Sequence, residues 1–157
     1  MPNNLTYGAL GTALTERFEG LKLEAYQDVA GNWTIGYGHK GVGVKEGQTI
    51  TPAAAMVLLE ADIRSAEMVV NQCVTYPLNQ NQFDALVDLA YNIGVGAFAC
   101  STLVRYLNDG EVALAAAEFS EWCHSGGRVV SGLLLRRNAE MSLFETPVAA
   151  ATARPQN

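Results

Sequence analysis

The sequence predicts an α+β fold, in which a helix and a small antiparallel sheet are joined by one long helix to a helical bundle. Three observations carry this. Residues 25–50 are broken into short runs ("AYQD", "NWTIGYG", "VGVKEG") rich in aromatics, β-branched residues and glycine, which read as two or three strands with tight turns. From Thr51 onward the apolar residues recur at helical spacing between start and stop signals. The run from Pro52 to the residues before Pro77 holds no breaker. It is about five turns, or roughly 30 Å, which is long enough to bridge two lobes.

In chain order, residues 5–18 are expected to form a short helix, with Tyr7, Leu10, Leu14 and Phe18 on its apolar face and Gly20 as its stop. Glu19 then falls at the negative end of the helix macrodipole, a position where structure alone would prefer Lys or Arg. The strands of residues 25–50 are too few to stand alone and must lean on a helix. Thr51-Pro52 is an N-cap followed by proline at the first helical position. Asn79 with Gln82 is a capping box, and Phe83, Leu86, Val87, Ala90 and Ile93 form one apolar face behind it. "GVGAF" is expected to break that helix. Ser101 or Thr102 caps a short helix ending at "NDG", a further helix covers about 111–123, and Ser131 caps a last helix through Phe144. The alanine- and proline-rich tail is expected to fray. Two lobes joined by a helix make a cleft, a common place for a ligand.

The chain has 157 residues, 49% of them hydrophobic, enough for a core in a single domain. Its net charge of −6 argues against a nucleic-acid binder and gives no long-range attraction to anionic polymers or membranes. The acids are therefore expected away from the cleft, on the long helix and the tail side. Cys73, Cys100 and Cys123 form no CxxC pair and read as buried free thiols in a reducing compartment, with one bridge formed after export as the alternative. No signal peptide or membrane span is read from the sequence. No metal or other cofactor is expected.

Glu19, Asp28 and Thr34 come from a helix end and two successive strand regions, so a folded hairpin can turn all three toward one cleft wall. Paired carboxyls are what glycosidic hydrolysis needs: one protonated to supply the leaving oxygen, one ionised to act on water or on the cationic ring. Glu19, at a helix C-terminus among aromatic and aliphatic neighbours, is the candidate for the protonated form. Asp28, on a polar hairpin, is the candidate for the ionised form. The Thr34 hydroxyl can bond a water between them. His39 is expected to hold the hairpin to the helical lobe through a hydrogen bond or ion pair. Trp33 and Trp122 are read as core. One of Arg136 and Arg137 is expected to pair with an acid, without the sequence saying which; a pairing with Glu19 would oppose the proton that Glu19 must carry.

Glu19-Gly20, Tyr26-Gln27-Asp28 and Thr34-Ile35-Gly36-Tyr37-Gly38-His39 closely resemble the motifs of the phage-type lysozymes, glycoside hydrolase family 24. "PLNQNQFDALVDLAYNIGVGAF" and "GGRVVSGLLLRRNAE" are similar to that family's central helix and C-terminal element, so the resemblance covers about residues 15–144. It implies a lysozyme-like fold over 1–157: a hairpin lobe at about 19–50, a linking helix at about 51–72, a helical lobe from 5–18 and 73–144, and a flexible tail at 145–157. It implies an endolysin (muramidase) that hydrolyses the β-1,4 bond between N-acetylmuramic acid and N-acetylglucosamine with inversion. Glu19 would be the acid, Asp28 and Thr34 would place the water, and Tyr26, His39, Tyr91 and Asn92 would lie on the substrate side. The implied partners are peptidoglycan and a separate holin, with no nucleic acid, no membrane insertion and a monomeric state. The implied location is the host cytoplasm, with action on the periplasmic wall after release. Residues 5–18 are too short and polar for the signal-anchor found in some relatives. A non-catalytic peptidoglycan-binding module and a lytic transglycosylase are the competing readings.

Overall fold

The computed structural model describes residues 3–148, and it has the α+β architecture expected. Helix α1 (Ala9–Glu19) leads into a three-stranded antiparallel sheet of β1 (Lys22–Gln27), β2 (Trp33–Gly36) and β3 (His39–Lys40), in the order β1-β2-β3. The long helix α2 (Pro52–Cys73) follows, then α3 (Gln80–Ile93), α4 (Val95–Ala99), α5 (Thr102–Asn108), α6 (Val112–Glu118) and a 3-10 turn (Phe119–Trp122). A two-stranded hairpin of β4 (His124–Ser125) and β5 (Arg128–Val129) precedes the last helix, α7 (Ser131–Glu145).

The start signals act as expected at two helices. Thr51 Oγ1 accepts the Ala54 amide at 3.1 Å. Asn79 and Gln82 close a reciprocal capping box, with the Gln82 amide on Asn79 Oδ1 at 2.8 Å and the Asn79 amide on Gln82 Oε1 at 3.0 Å. Such a cap is worth about 1 kcal/mol. Ser101 is the cap of α5, accepting the Val104 amide. Ser131 is not a cap: it is the first residue of α7, and no side chain caps that helix.

Other expectations are corrected. Residues 3–8 are not helical. Asn3 Nδ2 donates to the carbonyls of Val74 and Tyr76, and Asn71 exchanges two bonds with the backbone of Leu5. The backbone here is satisfied by long-range side-chain bonds, so helix formation starts only at Ala9. On α1 the buried residues are Gly11 and Thr15, while Leu10 is 56% exposed. "GVGAF" breaks α3 at Gly94 but then forms α4. The helix expected over 111–123 tightens to a 3-10 turn after Glu118. The β4–β5 hairpin was not expected. The frayed tail lies largely outside the described residues.

Helix α3 is the centre of the helical lobe, with α1, α2 and α7 packed around it. It is therefore buried on every face through Ala90, not along one stripe. Phe83, Leu86, Leu89, Phe98, Leu103, Leu107 and Phe119 are fully buried around it, each contributing about 1.5–3 kcal/mol. The small sheet leans on α2 through β2, whose Ile35 is fully buried; β1 remains exposed. Among the described residues, no helix is long and apolar enough to cross a membrane.

Candidate active site

Glu19 is the last residue of α1. Gly20 ends the helix at φ +68°, its amide bonded to the Glu16 carbonyl, and frees the Glu19 side chain to leave the lobe. Arg136 of α7 meets it, with Nη1 donating to Glu19 Oε1 at 2.8 Å. This settles the open pairing in favour of Arg136. The same guanidinium donates from Nε and Nη2 to Asp88 of α3, at 3.0 and 2.9 Å. Asp88 Oδ1 also accepts the Thr15 hydroxyl at 2.7 Å, and Thr15 is bonded in turn to the Tyr7 hydroxyl. The charge of Arg136 is thus already balanced by Asp88 before it reaches Glu19.

Asp28 sits in the turn after β1. Its Oδ1 accepts the amides of Ala30 and Asn32 at 2.9 and 2.8 Å, and its Oδ2 lies 2.6 Å from Lys40 Nζ. The hydrogen bond from Lys40, then those from the Asn32 and Ala30 amides, outweigh desolvation and bring its pKa down to about 2. Thr34 on β2 is buried and donates its hydroxyl to the Asn32 carbonyl at 3.0 Å. With its proton committed there, the oxygen keeps lone pairs to accept from a water.

A cleft of about 400 Å³ gathers Glu19, Asp28, Thr34, Tyr26, Tyr91 and Asn92, with Gly38, Lys40 and Asp62 completing the wall. Six of the seven residues singled out in the sequence therefore share one surface. His39 is not in that wall. Its Nδ1 lies 2.7 Å from Asp62 Oδ2 on α2, tying the sheet to the long helix. Tyr91 donates weakly to the Tyr37 carbonyl at 3.4 Å, and burial, with the charge of Glu19 next, holds its phenol well above the ordinary range. Asn92 Oδ1 accepts from Arg137 Nη2 at 2.8 Å, which fixes the amide at the cleft edge.

The structure revises the expected charge distribution. Asp62 lines the cleft, so a third acid stands there, with its Oδ2 2.7 Å from His39 Nδ1. Asp84, Asp88 and Glu140 are buried in the helical lobe. Asp84 accepts the Gly8 and Gly11 amides, which docks α1 on α3. The three cysteines are free, but only Cys123 is buried; Cys100 is exposed. Trp122 packs partly buried against the core, whereas Trp33 lines a shallow surface pocket with Asn32 and Val42. Sequence reasoning missed Asp88, Lys40 and Asp62. The available signal was Asp84 and Asp88, one turn apart on an otherwise apolar helix, which demands buried partners.

The phage lysozyme family model matches residues 16–140. The chain is 48% identical over 138 residues to an endolysin of Bacillus phage PZA, covering 87% of this chain and 54% of that protein. It is 44% identical over 140 residues to an endolysin of Acyrthosiphon pisum secondary endosymbiont phage 1, covering 87% and 95%. The chain thus spans about half the length of the first relative and nearly all of the second. Its structure matches that of an endolysin from Escherichia coli O157:H7 phage FAHEc1 with a TM-score of 0.87 at 35% identity, over 95% of this chain and 99% of that one. With six of its seven singled-out residues on one cleft, the chain belongs to the phage lysozyme family.

Proposed function

We propose that this chain is a muramidase that cleaves the β-1,4 bond between N-acetylmuramic acid and N-acetylglucosamine in peptidoglycan, with inversion. The observation that supports this most is the joint placement of Glu19, Asp28 and Thr34 on one cleft, with Asp28 held as a carboxylate. In the proposed reaction Glu19 gives its proton to the leaving glycosidic oxygen as the bond to the anomeric carbon breaks. A water held by Asp28 and the Thr34 oxygen attacks that carbon from the opposite face, and Asp28 takes the water's proton. A carboxylate with so low a pKa is a weak base towards free water. It suffices here because the water becomes strongly acidic as it bonds to the cationic ring, which the same carboxylate stabilises.

Tyr26, Tyr91 and Asn92 are proposed to contact sugar rings and acetamido groups, and His39 to act through Asp62. The enzyme is proposed to act as a monomer on the host wall, reaching it from the cytoplasm through a separate holin. The test is turbidity loss of outer-membrane-permeabilised Gram-negative cells, with product ends read by mass spectrometry. Wild type is expected to lyse them and leave hydrated reducing ends, and Glu19→Gln to lose several orders of magnitude in rate. Products with 1,6-anhydro ends, and an Asp28→Ala variant that keeps most of its rate, would make the chain a transglycosylase. Saturable wall binding without turnover would make it a binding module.

A further inference from the structure

Behind Glu19 lies a continuous set of five charged side chains. Arg136 contacts Glu19 and Asp88, and its Nε is 3.6 Å from Glu140 Oε1. Arg137 reaches Glu140 with Nη2 on Oε1 at 2.8 Å and Nε 2.8 Å from Oε2. Asp88, Arg137 and Glu140 have fully buried side chains, and that of Arg136 is 5% exposed.

The set holds two guanidiniums and three carboxyls. The four buried members balance, and Glu19, its side chain 21% exposed on the cleft wall, adds a third carboxyl to the same guanidiniums; a third negative charge there is disfavoured, which favours one proton among the three carboxyls. Asp88 is the fixed anion, since it accepts two bonds from Arg136 and one from Thr15. The proton is left to Glu19 or Glu140. We propose that Glu140 is a positioning residue for the acid step: Glu19 and Glu140 share one dissociable proton across Arg136, and Glu19 carries it when Glu140 is a carboxylate on Arg137. This rests on the reading of Glu19 as the general acid.

The geometry of Glu140 fits a carboxyl that takes and releases a proton. Its Oε1 is bonded to Arg137 and lies 3.6 Å from Arg136 Nε, whereas Oε2, although close to Arg137 Nε, is out of line for a hydrogen bond to it. Burial, then a hydrogen bond with Asp88, pushes the Glu140 carboxyl well up. At Asp88 burial acts in the same direction, but bonds from Glu140 and Arg136 outweigh it and hold that carboxyl low.

Other titratable groups on the elements packed against α7 are already engaged or face solvent. On α3, Asp84 is bonded to backbone amides and Tyr91 faces the cleft. On α1, Arg17 is exposed over the Phe18 ring and Glu16 is half-buried; ahead of that helix, Tyr7 bonds the Gly11 carbonyl and Thr15. On the α6 side, Glu118 is half-buried, Glu121 and His124 are exposed, and Cys123 is a buried thiol.

The test is the pH profile of kcat/KM on purified peptidoglycan for wild type, Glu140→Gln and Glu19→Gln. Glutamine at 140 mimics a permanently neutral Glu140, leaving the Glu19 side with excess positive charge. The alkaline limb, where the acid loses its proton, is expected to move toward acid by about one to three pH units. An unmoved limb, whatever the change in rate, would reduce Glu140 to a packing residue and overturn the proposal while leaving Glu19 as the acid. A Glu19→Gln enzyme as active as wild type would overturn the acid assignment and this inference with it.

If Glu140→Gln does not fold, infrared spectroscopy of wild type and Glu19→Gln in deuterated buffer decides the matter. Wild type is expected to show a buried protonated-carboxyl band at neutral pH. Glu19→Gln, with two guanidiniums against two carboxylates, is expected to lose it. Absence of the band in wild type, or its persistence in the variant, would overturn the proposal.

Discussion

Gly38 closes on Glu19 so tightly that a Cβ at residue 38 would lie 2.7 Å from Glu19 Oε2. The backbone there has φ +82°, a conformation costing an L-residue roughly 1–2 kcal/mol. Gly38→Ala is therefore expected to strain the turn between β2 and β3 and to push the acid off its position. The expected outcome is a loss of about 1–2 kcal/mol in urea denaturation. With it comes a fall of about 100-fold in kcat, disproportionate to the stability change, as for a misplaced catalytic group. Steady-state rates on peptidoglycan from a fully folded sample check this.

Removing Asp88 leaves Arg136 buried with no fixed anion. Asp88→Ala is expected to cost about 3–5 kcal/mol, the range for breaking one side of a buried pair. Asp88→Asn, which keeps the shape and some acceptor capacity, is expected to cost less. Equal costs for the two variants in urea titration would show that shape, not charge, holds this point of α3.

The low pKa of Asp28 has a definite sign in stability. A carboxyl depressed from 3.8 unfolded to about 2 folded stabilises the native state above the unfolded value. That contribution fades as pH falls from about 4 toward about 2. Over most of the acid range Asp28 stays ionised, so loss of activity above about pH 4 is expected to come from another group. Lys40→Met removes the largest lowering contribution, and the Asp28 carboxyl resonance is expected to titrate at higher pH in that variant.

The His39–Asp62 pair joins the sheet to the long helix with both side chains about a quarter exposed, at 23% and 28%. A double-mutant cycle of His39→Ala and Asp62→Ala is expected to give a coupling of about 1 kcal/mol, the upper end for partly solvated pairs. Chemical denaturation at neutral pH measures it. A null coupling would leave the sheet held by Ile35 and its packing on α2 alone.

The fold was legible where local chemistry dictates structure: Thr51-Pro52, the Asn79–Gln82 box and Gly20 all end or begin helices as written. It was not legible where long-range bonds override local pattern. Leu5 and Tyr7 look like the first turn of a helix but are tied to residues sixty or more positions away. Leu10 sits at an apolar helical spacing yet faces water, because the buried side of α1 is the polar track of Thr15 toward Asp88. Glu19, Asp28 and Thr34 could be placed together because glycines and β-branched residues around Asp28 and Thr34 read as a hairpin, but their chemistry, and the places of Tyr26, Tyr91 and Asn92, came from the resemblance to the phage-type lysozymes. Of the residues that hold Glu19 in place, Arg136 was legible only as one of two candidates with Arg137, and Asp88 declares itself only once α3 and α7 are packed.

Glu19 and Arg136, bonded in the finished molecule, are 117 positions apart in the chain. During synthesis at roughly 5–20 residues per second, the acid emerges about 6–23 s before its guanidinium partner exists. A nascent or C-terminally truncated chain carries all three motif residues and lacks the residue that aims the first of them. The proposed muramidase is thus expected to need the chain as far as Arg136, and a product that ends before it is expected to be inactive on peptidoglycan.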